Sequence, residues 1–336
     1  MKNDLNILIL SCGTRNKLVQ YFKKELSDKG TVIAADCSEL SPALYEADKH
    51  YIVPRIHDEN YLEAILSICK ENQVKGLISL IDPELNVIAA NKEVFLDIGT
   101  TPIISDFEII ETCFNKYKMY EVLVRNGFKT AKSYVNKELF YKDLDDGLIS
   151  FPVFVKPITG SASININKVT SKDEVDLLFD KYDNLMIQEY LDGTEYGVDV
   201  YIDMISKETV SIFIKKKLKM RAGETDKSVS IKDAELFDLV TKFVKSMDFT
   251  GIIDIDIFLV NGDYYISEVN PRFGGGYPHA YESGMNVPKM IINNLSGLRN
   301  QNMIGDYEEG IVMMKYNELR IKRIPNMEVK QRVCRG

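Results

Sequence analysis

The stretch GIIDIDIFLVNGDYYISEVNP (251–271) constrains the fold more than any other part of the chain. Two runs alternate between apolar and polar residues, and Asn261-Gly262 lies between them. Such alternation around Asn-Gly is the signature of an antiparallel hairpin with one buried face. Its register decides which side chains meet. A two-residue loop sets Glu268 opposite Ile255, among aliphatics. A three-residue loop, Asn261-Gly262-Asp263, pairs Val260 with Tyr264, Phe258 with Ile266, Asp256 with Glu268 and Asp254 with Asn270. Three carboxylates and an amide then share one face, and Ile253, Ile255, Ile257, Leu259 and Val269 take the other. This segregation favours the three-residue loop. Like charges facing across a ladder repel, so Asp256 and Glu268 need a cation or a proton between them. All-oxygen ligands suit magnesium or manganese, which keep waters and bind substrate phosphates. A solvated acidic face on a surface hairpin would show the same pattern.

The rest of the chain has two rhythms. In LNILIL (5–10), TVIAAD (31–36), GLISLI (76–81) and TPIIS (101–105), short apolar runs alternate with helical patterns such as YLEAILSICKEN (61–72). That order predicts a parallel sheet with helices on both faces, a Rossmann-like α/β domain over residues 1–105. Next, NKYKMYEVLVRNG (115–127) reads as a helix ending on Gly127. FPVFVKP (151–157), ININKVT (164–170), LMIQEYL (185–191), TEYGVDVYIDMI (194–205) and ETVSIFIKKKLKM (208–220) then follow with few helices between, as antiparallel strands do. Helices are expected near 171–182, over 233–247 and near 278–296. GIVMMKYN (310–317) is a last strand-like run before a basic tail.

Composition narrows the function classes. A chain of 336 residues suggests two or three domains. The formal net charge of −8 argues against nucleic acid as a partner. No apolar run reaches the roughly 18 residues that span a bilayer, and the apolar run near the N-terminus is shorter than a signal peptide's. The five cysteines lie far apart and make no metal or redox motif, so a cytoplasmic protein with reduced thiols is expected. With only three histidines, histidine-based metal chemistry is not expected.

Several stretches carry candidate chemistry. Lys156 ends an apolar strand and precedes PITGSAS (157–163), whose backbone amides and hydroxyls suit an anion. Lys116 opens a helix, another place for phosphate. In IQEYLDGTEYG (187–197) the linker backbone suits a purine edge and Glu195 suits ribose hydroxyls. KKKLKMRAGE (215–224) is either a solvated basic face or a receiver of phosphate or carboxylate, with Arg221 and the Ala222-Gly223 break its candidate functional part. SCGTRNKLV (11–19) and Asp36 have the order of a dinucleotide site but lack G-x-G-x-x-G. Asp82 and Glu84 follow a strand end, where ligands gather in parallel sheets, although Asp-Pro-Glu also starts helices.

Taken in order, a lysine helix, a strand ending in Lys with a small-residue loop, an Glu-x-Leu linker followed by Gly-x-Glu, an acidic hairpin and Glu-x-Asn-Pro-Arg resemble the ATP-grasp superfamily. The nearest resemblance is to carbamoyl-phosphate-synthase-like ATP-grasp proteins and carboxylate–amine ligases, and EVNPRFGGGYP is its most specific stretch. The resemblance implies a Rossmann-like N-terminal domain (1–105) followed by a two-lobed ATP-grasp fold. The small lobe would span 106–185 with a lid loop at 157–163, the large lobe 186–320, and the basic tail 321–336.

The resemblance also implies roles. Lys116 and Lys156 would contact ATP phosphates, with Ser161 in the loop that closes over them. The linker Glu189-Tyr190-Leu191 would read adenine and Glu195 the ribose. Asp256, Glu268 and Asn270 would hold magnesium or manganese, two ions in all. Arg272 would steady the transferred phosphoryl group. Arg221 would meet the γ-phosphate or the substrate carboxylate, and Gly274, Gly275, Tyr277, His279 and Glu84 would border the substrates. The implied reaction activates a carboxylate as an acyl phosphate and joins it to an amine. Phosphorylation of bicarbonate or carbamate and a non-catalytic ATP-binding scaffold are the alternatives. Implied partners are small-molecule carboxylate and amine substrates and a second copy of the chain in a homodimer, with neither membrane nor nucleic acid.

Overall fold

The computed structural model describes residues 5–160 and 166–323. Its first part contains β1 (Ile7–Leu10), α1 (Asn16–Leu26), β2 (Val32–Asp36), β3 (Lys49–Ile52), α2 (Tyr61–Glu71), β4 (Gly76–Ser79), α3 (Asp82–Ala90), α4 (Lys92–Asp97) and β5 (Thr101–Pro102). The strands form a parallel sheet in the order β3-β2-β1-β4-β5. Helices cover both faces, so β1, β2 and β4 are buried at every position. Ile7 and Ile9 pack with α1 on one side, and Leu8, Leu10 and Ile33 with α2 and α3 on the other.

The next part contains α5 (Phe107–Phe114), α6 (Lys116–Arg125), β6 (Ser133–Tyr134), α7 (Lys137–Asp145), β7 (Val153–Pro157), β8 (Asn167–Val169), α8 (Lys172–Lys181) and β9 (Leu185–Glu189). Its antiparallel sheet has the order β6-β9-β7-β8. Phe140 of α7 and Val175 of α8 pack on Val153, Val155 and Ile187. The last part contains β10 (Thr194–Ile202), β11 (Thr209–Arg221), β12 (Glu224–Ile231), α9 (Ala234–Lys245), β13 (Gly251–Val260), β14 (Asp263–Asn270), α10 (Tyr277–Glu282), α11 (Val287–Leu295) and β15 (Val312–Met314). These strands make a six-stranded antiparallel sheet, β14-β13-β10-β11-β12-β15.

One face of this large sheet is aliphatic. Ile253, Ile255, Ile257, Ile266 and Val269 pack with Leu236, Val240 and Phe243 of α9. The opposite face is covered at one end by α10 and α11, whose Tyr277, Ala280 and Ile291 join Tyr201 and Phe213 in the core shared with α1 and β1. The other end of that face stays open and carries the acidic residues of the hairpin.

The hairpin corrects the expected loop and keeps the expected acidic register. Val260 pairs with Asp263, so the loop has two residues. Asn261 (φ +50°) and Gly262 (φ +89°) take the left-handed conformations of a type I′ turn. The register then shifts between Asp256 and Ile257, and Ser267 is the extra residue of a bulge on β14. Asp256 therefore still faces Glu268, and Asp254 faces Asn270. The physical reason lies in Ile266. A three-residue loop would turn it onto the acidic face beside Phe258, whereas the bulge puts it opposite Ile257, fully buried in the aliphatic core.

Other expectations shift in detail. The single helix expected near 278–296 is two, α10 and α11, separated at Gly284 (φ +119°). The helices α5 and α7 and the strand β12 were not foreseen. In β12 the fully buried positions are hydroxyls, Ser228 and Ser230, which bond His279 and the Glu308 carbonyl at 2.8 Å, so apolar periodicity does not reveal it. No helix among the described residues is long and apolar enough to cross a membrane. Ile266→Ala should lower the unfolding free energy by about 2–5 kcal/mol in urea denaturation, the cost of a core cavity. A small change would return Ile266 to the open face and the hairpin to a three-residue loop.

Candidate active site

The open end of the large sheet forms one wall of a cleft of about 510 Å³. The other walls come from the turns after β1 and β4 (Arg15, Asp82) and from the end of β7 and the loop after it (Lys156, Thr159). Asp254, Asp256, Glu268, Asn270 and Glu195 face it from the large sheet. Five acidic or amide groups on one sheet face need compensation, and it comes from the neighbouring strand. On β11, Lys215 and Lys217 lie two residues apart and so point to the same side. Lys217 Nζ pairs with Asp256 at 2.6 Å and Glu195 at 2.7 Å. Lys215, fully buried, pairs with Asp199 and lies 3.9 Å from Asp254.

Burial works against the charge of the Lys217 ammonium, but Asp256 and Glu195 more than reverse this and hold it above the ordinary lysine range. Asp254 lacks so close a partner. Burial, with Asp199 and Asp256 adding, pushes it up to about 7 against the opposing charge of Lys215. The glycines make this packing possible. A Cβ on Gly197 would stand 2.9 Å from Lys215 Cε, one on Gly276 2.7 Å from the same atom, and one on Gly274 2.4 Å from Asp254 Cγ. The run 274–276 thus brings backbone against the protein's own charged side chains.

Opposite the acidic wall, Lys156 is buried and its ammonium makes no hydrogen bond or ion pair with the described residues. Burial pulls its ammonium down to about 8; Glu268 raises it and Lys116 lowers it. The Glu268 carboxylate likewise has no hydrogen bond or ion pair among the described residues. Lys116 donates to the Gly160 carbonyl, which ties the start of α6 to the loop. Arg272 Nη2 donates to Asp82 Oδ2 at 3.0 Å and to Asn270 Oδ1 at 3.1 Å, while its buried Nε finds no partner among the described residues.

Not every expected residue meets at the cleft. Lys116, Lys156, Glu195, Asp256, Glu268, Asn270, Arg272 and Gly275 line it. Arg221 is exposed and turns to Asp226 (3.4 Å) and Asn317 (3.2 Å). Tyr277 is buried, its hydroxyl bonded to Met285 O and Val287 N. His279 is buried between Ser228 and the Ile311 carbonyl, and burial lowers it to about 4. Glu84 is buried and accepts hydrogen bonds from Ser11, Tyr61 and Ser79. Glu189 bonds Lys132 through its N–H (2.8 Å) and its carboxylate (3.0 Å). Tyr190 lies under Lys168, 3.7 Å from its ring centre, and neither it nor Leu191 lines the cleft. Gly274 lies behind the wall on Asp254. Ser161 lies outside the described residues. Asp36 accepts from Gly13 N (2.8 Å) and Ser38 N (3.0 Å), so the carboxylate that a dinucleotide site needs holds its own turn instead.

Sequence reasoning did not single out Lys215, Lys217 or Arg15. The spacing of the two lysines on a strand, with acidic partners on adjacent strands, was the available signal for the first pair. Arg15 was covered only as a member of the turn SCGTRNKLV (11–19), which the resemblance sets at the central cleft beside the carboxylate or amine substrate.

Among the described residues no three His, Cys, Asp or Glu side chains stand close enough together to hold an ion. Asp256 is committed to Lys217. Glu268 has no side-chain partner among the described residues, and Asn270 adds its Oδ1, which also accepts from Arg272. Magnesium binds through one or two carboxylates plus substrate phosphates, so this oxygen pair fits it when a triphosphate supplies the rest.

Residues 113–276 match the model of the ATP-grasp domain, and residues 7–103 match that of the PylC-like N-terminal domain. The chain carries an ATP-grasp domain. It is 30% identical over 206 residues to a D-alanine–D-alanine ligase of Bacillus pumilus, covering 53% of this chain and 57% of that one. It is 23% identical over 338 residues to the carbamoyl phosphate synthase large chain of Clostridium beijerinckii, covering 91% of this chain and 30% of that one. The chain thus spans little more than half of the first relative and under a third of the second. Among solved structures, the biotin carboxylase domain of Hydrogenobacter thermophilus 2-oxoglutarate carboxylase, with MgADP and bicarbonate, superposes with a TM-score of 0.75 at 16% identity, covering 93% of this chain and 74% of that one. That likeness is one of fold.

Lys156 offers a direct check. Its amine should react with an acylating reagent with a midpoint near pH 8, against 10.5 for an ordinary lysine, read by mass spectrometry across pH. Glu268→Ala should move the midpoint lower, since the carboxylate favours the ammonium. A midpoint near that of the surface lysines would mean that Lys156 is not buried in the cleft.

Proposed function

We propose that the chain is an ATP-dependent ligase that activates a carboxylate as an acyl phosphate and joins it to an amine. The observation that carries this reading is a pair of groups on facing walls of one cleft that have no hydrogen bond or ion pair among the described residues, the buried Lys156 ammonium and the Glu268 carboxylate. A buried cation without a partner calls for an anion, and a free carboxylate beside it calls for a cation. A metal–triphosphate supplies both. The name of the ligase relative supports the C–N bond, and the MgADP of the biotin carboxylase structure supports nucleotide and metal.

In this reading Lys156 and Lys116 hold ATP phosphates, and Glu195, already oriented by Lys217, takes ribose hydroxyls. Glu268 and Asn270 hold magnesium, which supplies charge neutralisation on the phosphates. Asp256 joins them only where Lys217 gives way. A carboxylate oxygen of the substrate attacks the γ-phosphorus, and ADP leaves. The amine then attacks the acyl carbon, inorganic phosphate leaves, and the amine proton is released. No covalent nucleophile of the protein is needed. Positioning and charge neutralisation carry the rate, with Arg272 fixed against the transferring group by Asp82 and Asn270. The family's homodimer belongs to the same reading, and sedimentation of the full chain tests it.

Phosphorylation of bicarbonate or carbamate is the second reading, favoured by the match to a carbamoyl phosphate synthase over most of this chain. An ADP-release screen with Mg-ATP and pairs of amino acids and carboxylates, bicarbonate included, separates the two. One carboxylate–amine pair should accelerate release, and Arg272→Ala should then lower kcat roughly 10²–10³-fold, as loss of a preorganised charge donor does. If no pair accelerates release and Glu268→Ala leaves ATP affinity unchanged, the ligase reading fails.

A further inference from the structure

Lys217 occupies a carboxylate that was expected to hold a metal. Its Nζ lies 2.6 Å from Asp256 Oδ1 and 2.7 Å from Glu195 Oε1, so one ammonium bridges two acids that face the cleft. Asp256 stands directly across the ladder from Glu268, the carboxylate with no side-chain partner among the described residues. The fold builds a place for this lysine. Gly197 pairs with Asp256 on β13 and with Lys215 on β11, and a Cβ there would stand 3.2 Å from Lys217 Cε. The lysine stem therefore runs over bare backbone to reach both acids, and its side chain is only 5% exposed. Burial opposes its charge, but Asp256, Glu195 and Asp254 hold it protonated.

A divalent ion on Asp256 would need the space the ammonium fills. Magnesium sits about 2.0–2.1 Å from a carboxylate oxygen and demands near-octahedral surroundings. Bringing it there sets a dication against a buried ammonium, or expels Lys217 from both acids and strands its charge in the wall. Charge balance points the same way. Glu195, Asp256 and Glu268 are three anions on this part of the wall. Lys217 neutralises one of them, and a single divalent ion neutralises the other two. The triphosphate is then left to Lys156, Lys116 and Arg272. We propose that Lys217 stands in place of a second divalent ion, so that the metal–nucleotide brings one ion only, held by Glu268 and Asn270, and Lys217 is the permanent counter-charge of Asp256 and Glu195. The ion count rests on the ligase reading for its nucleotide and metal, and on the Lys217 geometry for its value.

Counting bound manganese tests it, because Mn²⁺ takes the same oxygen ligands as magnesium. The full chain is titrated with Mn²⁺ beside one equivalent of the β,γ-imido analogue of ATP, and electron paramagnetic resonance reads the free ion. The wild type should bind one ion per chain. Lys217→Met frees Asp256 and Glu195 and should bind two, whereas Lys217→Arg keeps the charge and should stay at one. Adding Asp256→Asn to Lys217→Met should return the count to one. Glu268→Gln should weaken the single wild-type ion by about tenfold or more, since ligand charge sets affinity. A Tm shift with the nucleotide shows that each variant folds. Two ions on the wild type, or a single ion on a folded Lys217→Met protein, would overturn the proposal. Two ions with substrate-dependent ADP release would sink it alone and leave the ligase reading standing. A wild-type chain that binds no manganese–nucleotide would sink both.

Discussion

Lysines stand where opposed carboxylates demand a counter-charge. The open face of the large sheet carries Glu195, Asp254, Asp256 and Glu268, with Asp199 buried behind them, and without compensation their repulsion would oppose folding. Lys215 and Lys217 supply it from the adjacent strand. Buried ion pairs of this kind add little net stability over apolar packing, because desolvation cancels most of the attraction, yet losing one partner is expensive. Their presence therefore speaks for function. They allow a charged surface to exist beside the core before any ligand arrives. Much of the local backbone follows from them: Gly197, Gly274 and Gly276 are glycines because those lysines and Asp254 occupy the space a Cβ would take.

The acidic wall becomes a site only because two other bodies face it. The small antiparallel sheet brings Lys156 across the cleft, buried and without an ion pair among the described residues. The parallel sheet brings its strand ends, where Arg15 and Asp82 stand after β1 and β4. Ligands gather at this edge of parallel sheets, and here the edge is aimed at the large sheet rather than at solvent. Tight packing of α1 against α11 and a core shared by β1, Tyr201, Phe273 and Ile291 hold the aim.

The ATP-grasp family and the acidic hairpin were legible because alternation and motif order are local properties. Glu268, Asn270 and Asp256 share a face in the structure as expected, although the route is a two-residue turn plus a bulge at Ser267. The route was not legible because only the core could decide whether Ile266 or Ser267 belonged inside. Arg221 looked the likeliest functional member of the basic run, and it points away to Asp226 and Asn317. Two lysines a few residues earlier face the acids instead. His279 and Tyr277, read as pocket residues, pack inside the protein, where hydroxyl and carbonyl partners satisfy them. The strand β12 escaped notice because its buried positions are serines.

Sequence by itself determined the strand and helix alternation, the apolar and acidic faces of the hairpin, and the order of lysines, linker and Glu-x-Asn-Pro-Arg that marks the superfamily. These depend on periodicity and spacing within short stretches. Tertiary structure alone decided which cation neutralises which carboxylate, that Lys156 is buried facing Glu268, and that Arg15 meets Glu224 and Lys315 over Gly275. Those pairings join residues up to hundreds of positions apart, and burial sets their energies, which no local pattern encodes.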